Sequence, residues 1–196
     1  LVPNQMNQQI NQIFNAQSIY KYTIRQTNAS QRIEKLKRLK DTIEINEPLI
    51  YAALQKDLRK SQFESAVTEL IFVYGELDYA IKNLSEWMSP KRVGKMLSNP
   101  FAKNRLYYEP KGVCLIIAPW NYPFQLALSP VVGAMAAGNT CILRPSRMSE
   151  NTAKVMEKII NNNFDESYLK VVLTDITQSN ALLEQKFDYI FFTGSP

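Results

Sequence analysis

Histidine is missing altogether from the 196 residues, which removes histidine-based acid–base catalysis and histidine-ligated zinc from what this chain can do by itself. Cysteine occurs only twice. Cys114 lies in Val113-Cys114-Leu115-Ile116-Ile117 and Cys141 in Thr140-Cys141-Ile142-Leu143, both apolar runs of strand type. A buried free cysteine behaves as a small hydrophobe, whereas a reactive thiolate needs an electropositive, partly open setting that neither run offers. Both are therefore read as structural, and reduced thiols fit a cytoplasmic protein. No apolar run approaches the ~18 residues of a membrane span. Asn4 to Gln17 is polar and rich in Gln and Asn, so no secretory leader is expected. The dinucleotide fingerprint G-x-G-x-x-G is absent as well.

What is present is a globular composition, with 45% apolar and 11% aromatic residues. The net charge is +5, and much of the excess sits in Arg32 to Lys40 and Arg92 to Lys103. The first of these stretches alternates charge with Ile33, Leu36 and Leu39 at helical spacing, so its cations read as a solvated helix face. No zinc spacing or RNA-binding aromatic signature accompanies the charge, and a nucleic-acid partner is not expected.

The pattern divides near Glu109. Residues 1–108 form a helical region with a basic connector and a strand. Asn4 to Arg25 reads as one helix with Ile10, Ile13, Phe14 and Ile24 as its stripe. Ser30 can cap a second helix, Gln31 to Asn46. Pro48 suits the first turn of a third, whose apolar residues, Leu49, Ala52 and Ala53 with Ile50, Leu54 and Leu58, give it two sides. Ser61 to Trp87 reads as one long helix with Phe63, Ala66, Val67, Leu70, Ile71, Tyr74, Leu77, Ile81 and Leu84 inward. Lys91 to Asn104 is irregular, and Arg105 to Glu109 is strand-like.

Residues 109–196 alternate. Strands are expected at Val113–Ala118, Thr140–Leu143, Leu169–Leu173 and Asp188–Phe192. Helices are expected at Pro123–Ala137, Asn151–Asn161 and Gln178–Lys186, the first ended by Gly138-Asn139. Apolar strands separated by helices predict an α/β fold with a parallel, Rossmann-like sheet, here an incomplete dinucleotide-binding half. Ligands of such sheets bind outside the carboxyl ends of the strands. Those ends are Ala118 to Pro123, Arg144 to Arg147 and Thr193 to Pro196.

Three ordered segments carry a more specific signal. Gly112-Val113-Cys114-Leu115-Ile116-Ile117-Ala118-Pro119-Trp120-Asn121-Tyr122-Pro123-Phe124, Ala136-Ala137-Gly138-Asn139-Thr140 and Phe191-Phe192-Thr193-Gly194-Ser195 resemble the aldehyde dehydrogenase superfamily. The Trp-Asn-Tyr-Pro form and Phe187 to Ser195 are most similar to its class 3, or fatty-aldehyde, branch. The resemblance covers nearly the whole chain and corresponds to the family's N-terminal portion.

That resemblance implies oxidation of aldehydes to carboxylic acids with NAD or NADP. A Cys thiolate attacks, hydride passes to the nicotinamide, and a Glu-activated water hydrolyses the thioester. Asn121 would hold the oxyanion, as a preorganised amide donor can. Ile117, Pro119 and Trp120 would lie beside the ribose and nicotinamide. Ser195, where a helix would begin, would meet the pyrophosphate. The family's Lys-Pro-Ser-Glu is replaced by Arg144-Pro145-Ser146-Arg147. Arg144 would take the Lys contact. Arg147 cannot replace the carboxylate but can pair with a 2′-phosphate, which points to NADP. A Gly-Gly pair of relatives is replaced by Thr174-Asp175.

No residue matches the family's catalytic Cys or its Glu-Leu-Gly-Gly base segment, so the chain alone is expected to be inactive, with a full-length homodimer as its setting. A half sheet would show an open apolar edge and self-associate. The alternative reading is a stand-alone, non-catalytic nucleotide-binding or interaction module.

Overall fold

The computed structural model describes residues 3–94, 101–174 and 176–194. It opens with α1 (Pro3–Arg25), which buries Ile10, Ile13, Gln17 and Ile24. Helix α2 (Ala29–Ile45) starts two residues earlier than expected. Asn28, not Ser30, is its cap: Asn28 Oδ1 accepts from the Gln31 N–H and Gln31 Oε1 from the Asn28 N–H, each at 3.0 Å. The reciprocal pair satisfies two groups where a lone serine would satisfy one. Helix α3 (Glu47–Leu58) has Pro48 in its first turn, as expected, but buries one side only, through Ile50, Ala53 and Leu54.

The long helix expected from Ser61 to Trp87 is interrupted. Ser61 caps α4 (Gln62–Ser65), a π-helical turn follows at Ala66–Leu70, and α5 (Ile71–Trp87) continues. The wider turn rotates the faces. Ser65, Glu69, Leu70, Val73, Leu77 and Leu84 point inward, while Phe63, Val67 and Ile71 of the expected stripe are exposed. The irregular connector also holds a short ladder, β1 (Lys91–Arg92) antiparallel to β2 (Arg105–Leu106). Strand β2 falls within the strand expected at Arg105 to Glu109 but is shorter, and its partner β1, in the segment expected to be irregular, is too short to leave a periodicity.

The second half delivers the expected α/β unit. Strand β3 (Val113–Ile117), α6 (Gln125–Ala137), β4 (Thr140–Arg144), a 3₁₀ turn (Arg147–Ser149), α7 (Glu150–Asn161), β5 (Leu169–Val171), α8 (Ile176–Leu183) and β6 (Tyr189–Phe192) follow in order. The sheet is parallel, in the order β5-β4-β3-β6. Its register sets Ile117 beside both Arg144 and Phe192. Parallel sheets need cover on both faces. Ile116, Cys141, Leu143, Leu169 and Val171 enter one large core with residues of α2, α3, α5, α6 and α7. Leu115 and Ile142 face the opposite way, into a smaller core with Ile10 and Ile13 of α1 and Ala181 and Leu182 of α8. All four residues of β6, at the sheet edge, are exposed.

Charged side chains of the first half finish helices of the second. Asp57 accepts from the backbone N–H and side chain of both Asn151 and Thr152 at 2.7–3.1 Å, at the start of α7. Burial pushes its carboxyl up, but these bonds outweigh it and hold the group below the usual range. Arg32 departs from the solvated-face expectation. It is 5% exposed, and its guanidinium donates to Thr27 Oγ1, the Arg25 carbonyl and the Ala136 carbonyl at the end of α6. A cation is favoured at that end of a helix dipole.

Gly138, the α6 C-cap at φ 84°, adjoins that guanidinium so closely that a Cβ would collide with it. Gly138→Ala therefore combines left-handed strain with displacement of Arg32. It is expected to lower unfolding stability by about 1–3 kcal/mol in a urea titration. A loss under about 0.5 kcal/mol would show that neither constraint holds.

Candidate functional site

The strand order locates a crevice. The chain winds outward from β3 through β4 to β5, then returns to the other side of β3 as β6. That reversal is a topological switch point, where open α/β sheets bind ligands. The Ala118 N–H donates to the Arg144 carbonyl at 3.1 Å, and the Thr193 N–H to the Ile117 carbonyl at 3.0 Å, so three strand ends are tied together. Ile117, Pro119, Trp120, Asn121 and Arg144 all lie at this end. Ile117 and Pro119 are half-buried, and Trp120 and Asn121 are exposed. Ser195 lies outside the described residues. The Asn121 side-chain amide makes no hydrogen bond among the described residues.

The two arginines after β4 are placed differently. Arg144 is half-buried, donating to Thr174 Oγ1 at 3.3 Å and Ser179 Oγ at 3.1 Å. Burial, and then the nearby Arg147 charge, lower its pKa. Arg147 is exposed and forms no ion pair among the described residues. It lines a cleft of about 390 Å³ with Ser146, Glu150, Lys154 and Thr174. Glu150 is a carboxylate at this cleft that the motif comparison did not single out, and it pairs with Lys154 at 2.5 Å.

Two further residues at the site escaped the sequence reading. Lys60 and Glu69 form an ion pair at 2.5 Å, with side chains 9% and 0% exposed. Glu69 Oε2 accepts from the N–H groups of Phe124 at 3.1 Å and Gln125 at 2.9 Å, where α6 begins. Lys60 Nζ donates to the Asn121 carbonyl at 3.2 Å and lies 4.2 Å from the Tyr122 ring centroid. Lys60 lies outside any helix and nine residues from Glu69, so the pairing left no periodic signal in the sequence. A charged residue inside an otherwise apolar helix stretch was the one available hint.

Both cysteines are interior to the sheet, side by side in register. Burial pushes the Cys114 thiol up to about 12, with Asp188 adding to the rise and Lys111 opposing it. Cys141 is raised well above its ordinary value, again chiefly by burial. Among the described residues, no group of three or more His, Cys, Asp or Glu is arranged to hold a metal ion. Nor is any helix there long and apolar enough to cross a membrane.

A four-stranded parallel sheet covered by helices, with a switch-point crevice at its carboxyl end, defines an α/β protein of the Rossmann-like class. The aldehyde dehydrogenase family profile matches residues 2–196, and the chain belongs to that family, as an N-terminal portion similar to its class 3 branch. It is 44% identical over 168 residues to human aldehyde dehydrogenase family 3 member B1, covering 86% of this chain and 36% of that protein. Aldehyde dehydrogenase family 3 member A2 of Macaca fascicularis is 40% identical over 164 residues, covering 84% and 34%. The substrate-bound structure of Staphylococcus aureus AldH superposes with a TM-score of 0.92 at 39% identity, covering 95% of this chain and 41% of that one. The chain thus spans well under half the length of these relatives.

The thiol environments give a direct test. Burial raises both thiols well above the ordinary range, Cys114 to about 12, so both are held as thiols near neutral pH. Neither should react with an aromatic disulfide reagent in the folded chain, and both should react promptly in denaturant. Fast labelling of the native protein would contradict the structural assignment.

Proposed function

We propose that residues 1–196 are the N-terminal, cofactor-binding part of a class 3-type aldehyde dehydrogenase that oxidises aldehydes to carboxylic acids with NAD or NADP. Residues 109–196 form its incomplete dinucleotide-binding half, and residues 1–108 its helical support. The observation that carries the reading is the meeting of Ile117, Asn121 and Arg144 at one sheet end, beside the β3/β6 switch point.

The residues present suit a phosphorylated nucleotide. Arg147, exposed on its cleft and without an ion-pair partner among the described residues, is a ready anion ligand. Ser195 would serve the pyrophosphate. A nicotinamide held by these residues would supply the hydride acceptor. Ile117, Pro119 and Trp120 would hold the cofactor's ribose and nicotinamide side with apolar surface and limit access of water. The Asn121 amide donates to the aldehyde oxygen as negative charge develops there. A donor fixed before reaction costs no reorganisation in the transition state. The nucleophilic thiolate and the general base belong to parts of the enzyme beyond these residues. Neither Cys114 nor Cys141 replaces the thiolate, so the chain alone does not turn over. A homodimer is the proposed full-length assembly.

Asn121→Ala in the full-length enzyme tests the chemistry. Turnover should fall by roughly 10²–10³ with cofactor affinity nearly unchanged. A loss under about threefold would make Asn121 a turn-former only.

Cofactor choice follows from charge. Arg147 stands where a ribose-binding carboxylate is expected, and a cation there attracts a 2′-phosphate. NADP should therefore bind at least as tightly as NAD, and Arg147→Glu should shift the ratio towards NAD. Titration showing NAD bound more than about tenfold tighter by the unaltered protein, or an unmoved ratio in the variant, would refute this role.

A further inference from the structure

The Lys60–Glu69 pair has a use beyond holding helices together. Buried ion pairs contribute little net stability over well-packed apolar residues, because desolvation offsets the attraction. Here the remaining bonding capacity of both side chains is spent in one place. Outside the pair itself, every hydrogen bond and ring contact they make among the described residues falls on residues 121–125. The ammonium holds the Asn121 carbonyl and covers the Tyr122 ring. The carboxylate holds the N–H groups of Phe124 and Gln125. The turn carrying Asn121 is thus gripped on both sides of the peptide that follows it. The two gripping residues come from the loop after α3 and from the π turn, both distant in sequence from that turn.

We infer that Lys60 and Glu69 are positioning residues that fix the Asn121 turn and thereby aim its side-chain amide for catalysis. The inference rests on the proposed role of Asn121. An amide donor gains its effect from being held in place before charge develops. A turn released at the Asn121 carbonyl and the α6 N-terminus would still carry the amide, but in many orientations.

The test has two arms. In the full-length enzyme, Lys60→Met and Glu69→Gln are measured alone and combined with Asn121→Ala. Each single change should lower kcat about tenfold or more while the dissociation constant for the cofactor moves less than about twofold. In the Asn121→Ala background the same changes should cost less than about twofold, because the group they aim is gone. Equal losses in both backgrounds, or a matching loss of cofactor affinity, would overturn the inference.

The second arm needs no activity. Amide hydrogen exchange at Phe124 and Gln125 is followed in the 196-residue chain carrying Glu69→Gln. Exchange at these positions should speed up about tenfold while amides in β3 and β4 keep their protection. Unchanged exchange would overturn the inference whatever the kinetics show. Accelerated exchange with a catalytically silent Asn121→Ala would uphold the positioning and sink the oxyanion reading instead. Where Lys60→Met does not fold, Glu69→Gln, which keeps the side chain's shape and one acceptor oxygen, carries both arms.

Discussion

Every α-helix leaves unsatisfied N–H groups at its start and C=O groups at its end, and a buried end must find partners. In this chain the partners come from a distance. Asp57 of α3 finishes the start of α7, Glu69 of the π turn finishes the start of α6, and Arg32 of α2 meets the end of α6. In each case the charge has the sign that the helix dipole favours. The first 108 residues are therefore more than a lid over apolar surface. They supply the end charges that α6 lacks and add Asp57 to the Glu150 that α7 already carries in its first turn, tying both helices to the helical half.

This dependence explains what the sequence made legible. Short apolar runs punctuated by Gly112, Pro123 and Gly138 revealed β3, α6 and β4 within a residue or two, because buried parallel strands write their burial directly into composition. The sheet-end position of Asn121 followed from the same logic. Arg32 was not legible, since it sits in a run of cations whose other members are largely solvated, and only the tertiary position of Ala136 turns it inward. The interrupted helix was hidden for another reason. Residues 63–84 are apolar on more than one side, so the regular helical period fits the sequence even though the chain does not follow it.

The two sides of the crevice differ in how firmly they are defined. On the β3 side the turn is fixed by backbone and buried charge, and its exposed groups, Trp120 and Asn121, present themselves from a rigid base. On the β4 side Arg144 is committed to Thr174 and Ser179, while Arg147 stands in the open on its cleft. The proposed cofactor role fits this asymmetry, with the fixed turn at the reacting end and the exposed cation at the end that carries charge. Glu150 adds an acceptor to the adaptable side, held by Lys154.

The π turn at Ala66–Leu70 also changes what an insertion or deletion would mean here. Such a turn is a regular helix with one residue too many, so Ser61 to Trp87 consists of two helical segments out of phase by about 100°. Removing a single residue between 66 and 70 would not merely shorten the element. It would bring the segments into phase, extend one uninterrupted helix, and turn everything before the deletion to a new heading, Ser61 and the neighbouring Lys60 included. The extra residue works as a phase shifter, and the length of this stretch is as much a part of the site's specification as any side chain in it.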